Sequence, residues 1–238
     1  MGKLYVIGIG PGGIEHMTLR ARNAVLESEV IVGYTRYIKL LESIVGDKEV
    51  FSTGMKGERE RCKKALELSH GRIVSIVSTG DAGIYGMAGL VMEMRKDEDI
   101  EIIPGVTSST AAASVLGAPI MHDSCCISLS DLMTPYNLIE KRIRLAAEGD
   151  FVISLYNPRS KGRPDYLREC IDIIREYRDD STPVGIVKNA LREGQEKFLC
   201  TLGTFDEGKV DMLCMVIVGN SNTFLRGDII ITPRGYTL

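Results

Sequence analysis

The sequence predicts an α/β protein made of two α/β domains, and three observations carry that expectation. Short β-branched runs, such as residues 3–9, 73–78 and 100–103, alternate with helical patterns, the order expected of strands in a parallel sheet covered on both faces. Four successive strands in the first half each run into a glycine-containing loop. The pattern then breaks at Gly117-Ala118-Pro119 and resumes, which places the domains at 1–117 and 118–238.

Bulk properties narrow the functional classes. A chain of 238 residues with 44% hydrophobic and 26% charged residues has enough apolar material for one large or two modest cores. A net charge of -3 offers no attraction for nucleic acid. Neither a charged start followed by a short apolar region nor an apolar run of about 18 residues is present, so a cytoplasmic protein with no membrane partner is expected. Cys62, Cys125, Cys126, Cys170, Cys200 and Cys214 form no C-x-x-C pair and have no histidine at zinc spacing. They read as small buried hydrophobes in a reducing compartment, and no metal site is expected.

The first strand leads into Gly8-Ile9-Gly10-Pro11-Gly12-Gly13 and then a helical pattern through Leu19, Ala24 and Leu26. Gly8, Gly10 and Gly13 match the dinucleotide fingerprint, which makes a nicotinamide-dependent oxidoreductase the chemically distinct alternative. Two features count against it. The acidic residue due about 20 positions later is replaced by a strand ending in Gly33-Tyr34, and Pro11 removes an amide that a pyrophosphate needs. The loop suits a ligand that approaches main chain closely and carries no phosphate.

A second strand at 29–32 reaches Gly33-Tyr34-Thr35-Arg36-Tyr37, whose tyrosines and arginine either line a site or cap a surface helix. Residues 48–52 precede the loop Thr53-Gly54-Met55-Lys56-Gly57, and the charged helix at 58–69 reads as a solvated face. The strand at 73–78 then stops at Thr79-Gly80-Asp81-Ala82-Gly83-Ile84-Tyr85-Gly86. Ligands in open α/β sheets gather at the carboxyl ends of strands, and Gly80 and Gly83 let a bound molecule touch main chain. Asp81 serves that ligand, caps the helix that follows to about Arg95, or does both. The strand at 100–103 meets Pro104-Gly105-Val106-Thr107-Ser108-Ser109, where small hydroxyls cap a close-packed helix containing Ala111, Ala112 and Ala113.

In the second half, residues 125–129 form a strand, and Thr134-Pro135 supplies the N-cap and first position of a helix carrying Ile139, Ile143 and Ala146, stopped by Gly149. The buried strand at 151–156 runs into Asn157-Pro158-Arg159-Ser160-Lys161-Gly162-Arg163, whose cations are either a solvated turn or anion receptors. A helix with Leu167, Ile171 and Ile174 on one face follows, then a strand at 184–187, the loop Lys188-Asn189-Ala190, and a hairpin pairing 196–202 with 212–218. Gly219-Asn220-Ser221-Asn222-Thr223 ends that hairpin, and a strand at 228–232 closes the chain.

Gly8-Ile9-Gly10-Pro11-Gly12, Thr79-Gly80-Asp81, Pro104-Gly105-Val106-Thr107 and the two-domain outline together resemble the tetrapyrrole methylases, which methylate corrin precursors of cobalamin from S-adenosylmethionine. Val32-Gly33-Tyr34, Gly83-Ile84-Tyr85-Gly86-Met87-Ala88-Gly89, Leu116-Gly117-Ala118-Pro119 with His122-Asp123, Ser128-Leu129-Ser130-Asp131, Leu155-Tyr156-Asn157-Pro158 and Val218-Gly219-Asn220-Ser221 narrow the likeness to the branch that acts on carbon 17.

The resemblance implies a cofactor cleft between the two domains, a homodimer and a precorrin or cobalt-precorrin substrate. It implies contacts to S-adenosylmethionine, whose product is S-adenosylhomocysteine, from Pro11, Gly80, Asp81, Ile84, Thr107, Ser108, Tyr156, Asn157, Ala190 and Asn220. Arg36, Lys56, Arg159, Lys161 and Arg163 are the cations available to the macrocycle's carboxylates. Methyl transfer from a sulfonium mainly needs alignment, so no catalytic triad is expected. A coupled ring contraction, also implied, needs a proton donor or acceptor, for which Tyr85, His122, Asp123 and Asp131 are the candidates. A non-catalytic carrier of either ligand and methylation at another ring carbon are the remaining alternatives.

Overall fold

The computed structural model describes residues 2–160, 162 and 165–237, and the chain divides into two compact units, Met1–Ser108 and Ser109–Leu238.

The first unit contains β1 (Lys3–Gly8), α1 (Leu19–Glu27), β2 (Val30–Tyr34), α2 (Thr35–Lys39), α3 (Glu42–Val45), β3 (Glu49–Thr53), α4 (Glu58–Ser69), β4 (Ile73–Ser78), α5 (Ala88–Met94) and β5 (Ile100–Ile103). The strands stand in the order β3-β2-β4-β1-β5, every neighbouring pair parallel. All five therefore deliver their following loops to one edge of the sheet. Alternation along each strand fills a core on both faces. Leu4, Val6, Val74 and Ile76 pack with Cys62, Ala65 and Val91, while Tyr5, Ile7 and Val77 pack with Ala21, Ala24 and Val25.

The helical pattern expected through Leu19, Ala24 and Leu26 is α1, whose buried stripe is Ala21, Ala24 and Val25 while Leu19 is 78% exposed; small residues let the helix lie close to the sheet. One strand of this unit differs from the sequence expectation. β2 continues through Gly33 and Tyr34 instead of stopping before them. A Cβ at Gly33 would stand 2.8 Å from side-chain atoms of both Ile38 and Val77, so that glycine makes room for packing within the strand.

The second unit takes in α6 (Ser108–Leu116), whose helix starts at the boundary, followed by β6 (Gly117–Ala118), β7 (Ser124–Ser128), α7 (Tyr136–Glu148), β8 (Val152–Tyr156), α8 (Tyr166–Arg175), β9 (Pro183–Lys188), β10 (Glu196–Thr201), β11 (Cys214–Val218), β12 (Phe224–Arg226) and β13 (Ile229–Ile231). The division lies ahead of the break at Gly117 because Ala112, Ala113 and Leu116 bury themselves with Val152, Val187, Met215 and Ile217 of the second sheet. That sheet has the order β10-β9-β11-β8-β7, and β12-β13-β6 form a smaller one. β7 and β8 are parallel, while β11 is antiparallel to both β8 and β9. The opposite face holds Ile139, Ile143, Leu167, Cys170, Ile171 and Ile174 of α7 and α8, each fully buried apolar side chain contributing about 1.5–3 kcal/mol.

Three expectations are corrected here. The two strands expected to pair as a hairpin, β10 and β11, both pair with β9, which stands between them; the hairpin is β9 with β10, closed by the loop after Lys188. Helix α7 begins one residue later than expected, with Pro135 at the N-cap position and no side-chain cap from Thr134. Cys126 is exposed, against the expectation that all six thiols are buried; on β7 it points away from the core that Cys125 packs against.

Candidate functional site

The loops that follow β4, β1 and β5 are neighbours because those strands are neighbours, and their glycines are fitted to one another. A Cβ on Gly8 would meet Gly105 N and Gly80 O at 2.7 Å, and one on Gly10 would meet Gly80 Cα and Val106 O at 2.3 Å. One on Gly105 would meet Gly80 O at 2.3 Å and Gly8 O at 2.5 Å. Three of the motif glycines thus serve contact between main chains of adjacent loops. Gly80 differs: its φ is 68°, and the atoms nearest its absent side chain, Thr107 Cα and Ser108 N, stand 3.7 and 3.8 Å away. Positive φ explains glycine there, and space at van der Waals distance borders Thr107 and Ser108.

Asp81 ties the loops together. Its Oδ1 accepts the Gly83 amide at 2.7 Å and its Oδ2 accepts the Gly105 amide at 3.0 Å. It does not cap α5, whose N-cap is Met87 with no side-chain bond. Pro11, buried and following a cis peptide bond, belongs to the same edge, as does Ile84, which is 39% exposed.

This arrangement suits a phosphate-free ligand. The Gly10 amide donates to Gly80 O at 2.9 Å, the Ile9 amide to Ser78 O at 2.8 Å, and Pro11 has none. The first long helix starts only at Leu19, with Thr18 Oγ1 accepting the Ala21 amide. A pyrophosphate would need just those amides and that helix end beside the glycines.

In the second unit, β7, β8 and β9 end at a common edge. There Tyr156, buried, accepts the Ser109 amide on its hydroxyl at 3.2 Å. Asn157, at φ 51°, donates from Nδ2 to Ser128 Oγ at 2.9 Å. Ala190 lies at this edge too, in a turn where Asn189 and Leu191 also have positive φ and Gln195 Oε1 accepts the Leu191 amide at 2.7 Å. Ser128, quoted in sequence only within the stretch Ser128-Leu129-Ser130-Asp131, joins this edge through its link to Asn157, 29 positions away.

Asn220 is not brought to that edge. β11 runs antiparallel to β8, with Val218 opposite Ile153, so the turn after Val218 falls at the amino end of β8. Ser221 confirms it by giving its amide to Asp150 Oδ1 at 2.9 Å. At about 3.3 Å per residue, the five-residue β8 separates Asn220 from Asn157 by roughly 16 Å. Asn220 is instead buried in a polar cluster: its amide donates to Thr223 Oγ1 at 2.8 Å, and Thr223 meets Thr232 Oγ1 at 2.7 Å. The buried Arg178 staples the same turn by donating to Gly219 O and, at 2.5 Å, to Phe151 O.

Arg36 and Lys56 follow β2 and β3 and are exposed at the carboxyl edge of the first sheet. Arg159, after β8, donates one N–H to Glu207 O at 2.9 Å. Lys161 and Arg163 lie outside the described residues. The acid–base candidates also separate. Asp131 follows β7 at the Asn157 edge and accepts from the Tyr166 hydroxyl at 3.0 Å; Tyr166 stacks on Tyr136 with ring centroids 4.0 Å apart. Burial and a hydrogen bond to Glu169 hold the Tyr136 phenol well above its ordinary pKa. His122 and Asp123 precede β7 and so lie at the opposite edge of that sheet. Burial raises the thiols of Cys62, Cys125, Cys200 and Cys214 to about 11 and that of Cys170 to about 12. His70, Asp97 and Glu98 also cluster, but there the Glu98 carboxylate accepts the Lys96 amide at 2.7 Å and faces His70 at 3.6 Å, which closes a turn.

Comparison with known proteins places this geometry in context. Residues 3–206 match the model of the Tetrapyrrole (Corrin/Porphyrin) Methylases. A probable cobalt-factor III C(17)-methyltransferase of Salmonella typhimurium is 52% identical over 99% of this chain and 100% of its own length. A precorrin-3B C(17)-methyltransferase of a Sinorhizobium species is 37% identical over 99% of this chain and 97% of its own. The crystal structure of the methyltransferase CobJ superposes with a TM-score of 0.92 at 34% identity, covering 98% of this chain and 100% of that one. A uroporphyrin-III C-methyltransferase from Thermus thermophilus, solved in complex with S-adenosylhomocysteine, shares the fold at 23% identity, with a TM-score of 0.69 over 92% of each chain.

Proposed function

The chain belongs to the tetrapyrrole (corrin/porphyrin) methylases, and from that premise we propose that it methylates carbon 17 of a cobalt-factor III or precorrin-3B macrocycle, using S-adenosylmethionine, in cobalamin biosynthesis. It is a C-methyltransferase. The observation that carries this reading is the relationship to the C17-methyltransferases over 99% of the chain. The more similar of the two relatives bears the cobalt-containing name, which favours cobalt-factor III as substrate.

The donor set fits the cofactor: main chain without a side chain at Gly80, small hydroxyls at Thr107 and Ser108, an apolar side chain at Ile84, and amides already spent where a phosphate would demand them. S-adenosylmethionine supplies a methyl group already activated on a sulfonium. In this reading Pro11, Gly80, Asp81, Ile84, Thr107 and Ser108 of the first unit hold it, with Tyr156, Asn157 and Ala190 of the second. Asn220 is left out because its turn lies at the far edge of the second sheet. Arg36, Lys56 and Arg159, with Lys161 and Arg163, bind the macrocycle's carboxylates as charge-assisted donors. What remains for the protein is to hold the nucleophilic carbon in line at about 3–3.5 Å from the methyl group. For the ring contraction that accompanies methylation in this reading, Tyr85 and Asp131 are the candidates on the two ligand edges. The reading also includes a cytoplasmic homodimer, which size-exclusion chromatography with light scattering tests; no helix among the described residues is long and apolar enough to cross a membrane.

The deciding experiment incubates the protein with isotopically labelled methyl donor and either cobalt-factor III or precorrin-3B, then locates the label by mass spectrometry and NMR. Label at carbon 17 is expected, with faster turnover of the cobalt compound. Label at another carbon, or none in either macrocycle, would overturn the assignment.

A further inference from the structure

Arg61 stands near the start of α4, where the positive end of the helix dipole disfavours a cation, yet it is only 5% exposed. A guanidinium buried there has to be satisfied by what it touches. Its Nη1 donates to Thr53 Oγ1 at 2.5 Å and to Gly54 O at 2.9 Å, and Nη2 lies 3.3 Å from Glu58 Oε1. Its central carbon stands 6.0 Å from the centre of the Tyr34 ring at the end of β2. One side chain of α4 therefore reaches the ends of two neighbouring strands.

The loops that leave those strands are also fastened to each other. Tyr34 and Thr53 are partners across β2 and β3, and just beyond them Thr35 Oγ1 donates to Thr53 O at 3.2 Å. Gly57 closes the return of the second loop, since a Cβ there would stand 2.2 Å from Thr53 Oγ1 and 3.3 Å from Arg61 Nη1. Between Gly54 and Gly57 the chain turns through Lys56 at a φ of 66°. Arg36 and Lys56 are both exposed, and neither has a hydrogen-bond or ion-pair partner among the described residues. Two uncommitted cations on adjoining loops, backed by a third that is buried and weakly screened, make a corner suited to carboxylates.

We propose that Arg61 is a positioning residue for substrate binding: its clamp on the loop after β3 sets the spacing of Arg36 and Lys56, so that together they receive carboxylates of the macrocycle. The proposal rests on the reading above that these two cations bind that substrate. Helix stability does not call for arginine at this place, and an apolar residue would fill the space without bringing in a charge to be satisfied. Arginine supplies a planar fork that reaches a hydroxyl, a carbonyl and a carboxylate at once, which the single ammonium of lysine on its flexible stem does not reproduce.

The test measures KM and kcat with cobalt-factor III, and the calorimetric Kd for S-adenosylmethionine, on variants of the full-length protein. Arg61→Met should raise KM about tenfold while kcat and the cofactor Kd stay within about twofold. Arg61→Lys should keep most of that defect. Lys56→Met should raise KM about fivefold, and adding it to Arg61→Met should leave KM within about twofold of Arg61→Met alone, because the two residues act through one contact. Thr53→Val removes only a hydroxyl that Arg61 meets; it should raise KM about threefold, and it tests the clamp even where Arg61→Met does not fold. A KM unchanged in Arg61→Met or in Thr53→Val, a KM restored by lysine, or defects that multiply in the double variant would each overturn the proposal. A KM that neither Arg36→Met nor Lys56→Met moves would remove the substrate-cation reading and this proposal with it. If those two raise KM and Arg61→Met does not, this proposal alone falls. Wild-type protein that methylates neither macrocycle would remove the methyltransferase reading itself.

Discussion

The Asp81 carboxylate holds the amide of Gly105, 24 positions away, at 3.0 Å while its other oxygen holds the Gly83 amide at 2.7 Å. The loops after β4 and β5 are thereby locked across β1, which lies between the two strands. A residue that reads in sequence as a ligand contact or helix cap is in the fold the link between the two loops that follow β4 and β5.

Asp81→Ala removes both acceptors, and Asp81→Asn turns one of them into a donor facing a donor. Each should weaken S-adenosylmethionine binding at least tenfold, and the asparagine variant should be no better than the alanine one. Isothermal calorimetry measures both; an asparagine variant with wild-type affinity would contradict the two-amide role.

Gly105→Ala places a methyl group 2.3 Å from Gly80 O and 2.5 Å from Gly8 O, where main chain has to move. The expected cost is about 1–3 kcal/mol of stability, with a loss of cofactor affinity greater than that of Asp81→Ala. Urea unfolding and calorimetry on the same preparation read the two effects.

Asn157→Ala and Asn220→Ala separate the two edges of the second sheet. Asn157→Ala breaks the bond to Ser128 at a ligand edge and should weaken cofactor binding. Asn220→Ala should leave cofactor affinity within about twofold while lowering stability by about 1–3 kcal/mol, because it removes the acceptor of the buried Thr223 hydroxyl. Loss of affinity in Asn220→Ala without loss of stability would return that residue to the site.

Glu101 accepts a two-pronged hydrogen bond from Arg20 at 2.7 and 2.8 Å and pairs with Lys3 at 3.2 Å. The Arg20 hydrogen bond is the main cause holding its pKa down at about 2, below the ordinary 4.5. Because the folded value is the lower one, the stabilisation is complete above pH 4.5 and is lost as pH falls toward 2. Glu101→Gln should flatten that part of the acid limb and lower stability near neutrality by about 1 kcal/mol, the half-exposed pair being partly screened by solvent. Unfolding midpoints from pH 2 to 7 test this.

Much of the first unit was legible because its signals are local. β4, β5 and α4 occupy the expected residues, since a β-branched run covered on both faces and a helical repeat are each complete within a dozen positions. The pairing of β9 with both β10 and β11 was not legible: which of several equally apolar strands takes the central place depends on what the helices cover, and no window of sequence contains that. The buried face of α1 was not legible for a related reason, as helix and sheet meet through alanines when they approach closely.

By itself the sequence determined the α/β class, the glycine loops at strand ends and, through their ordered set, the family. Tertiary structure alone decided what each of those residues does. Strand direction sends Asn220 to one edge and Asn157 to the other, and strand order presses Gly8, Gly10 and Gly105 against the main chain of neighbouring loops and leaves Gly80 bordered at van der Waals distance. The physical reason is that glycine and asparagine are chosen for conformations and close approaches, and an approach has no partner until distant segments of chain are brought side by side.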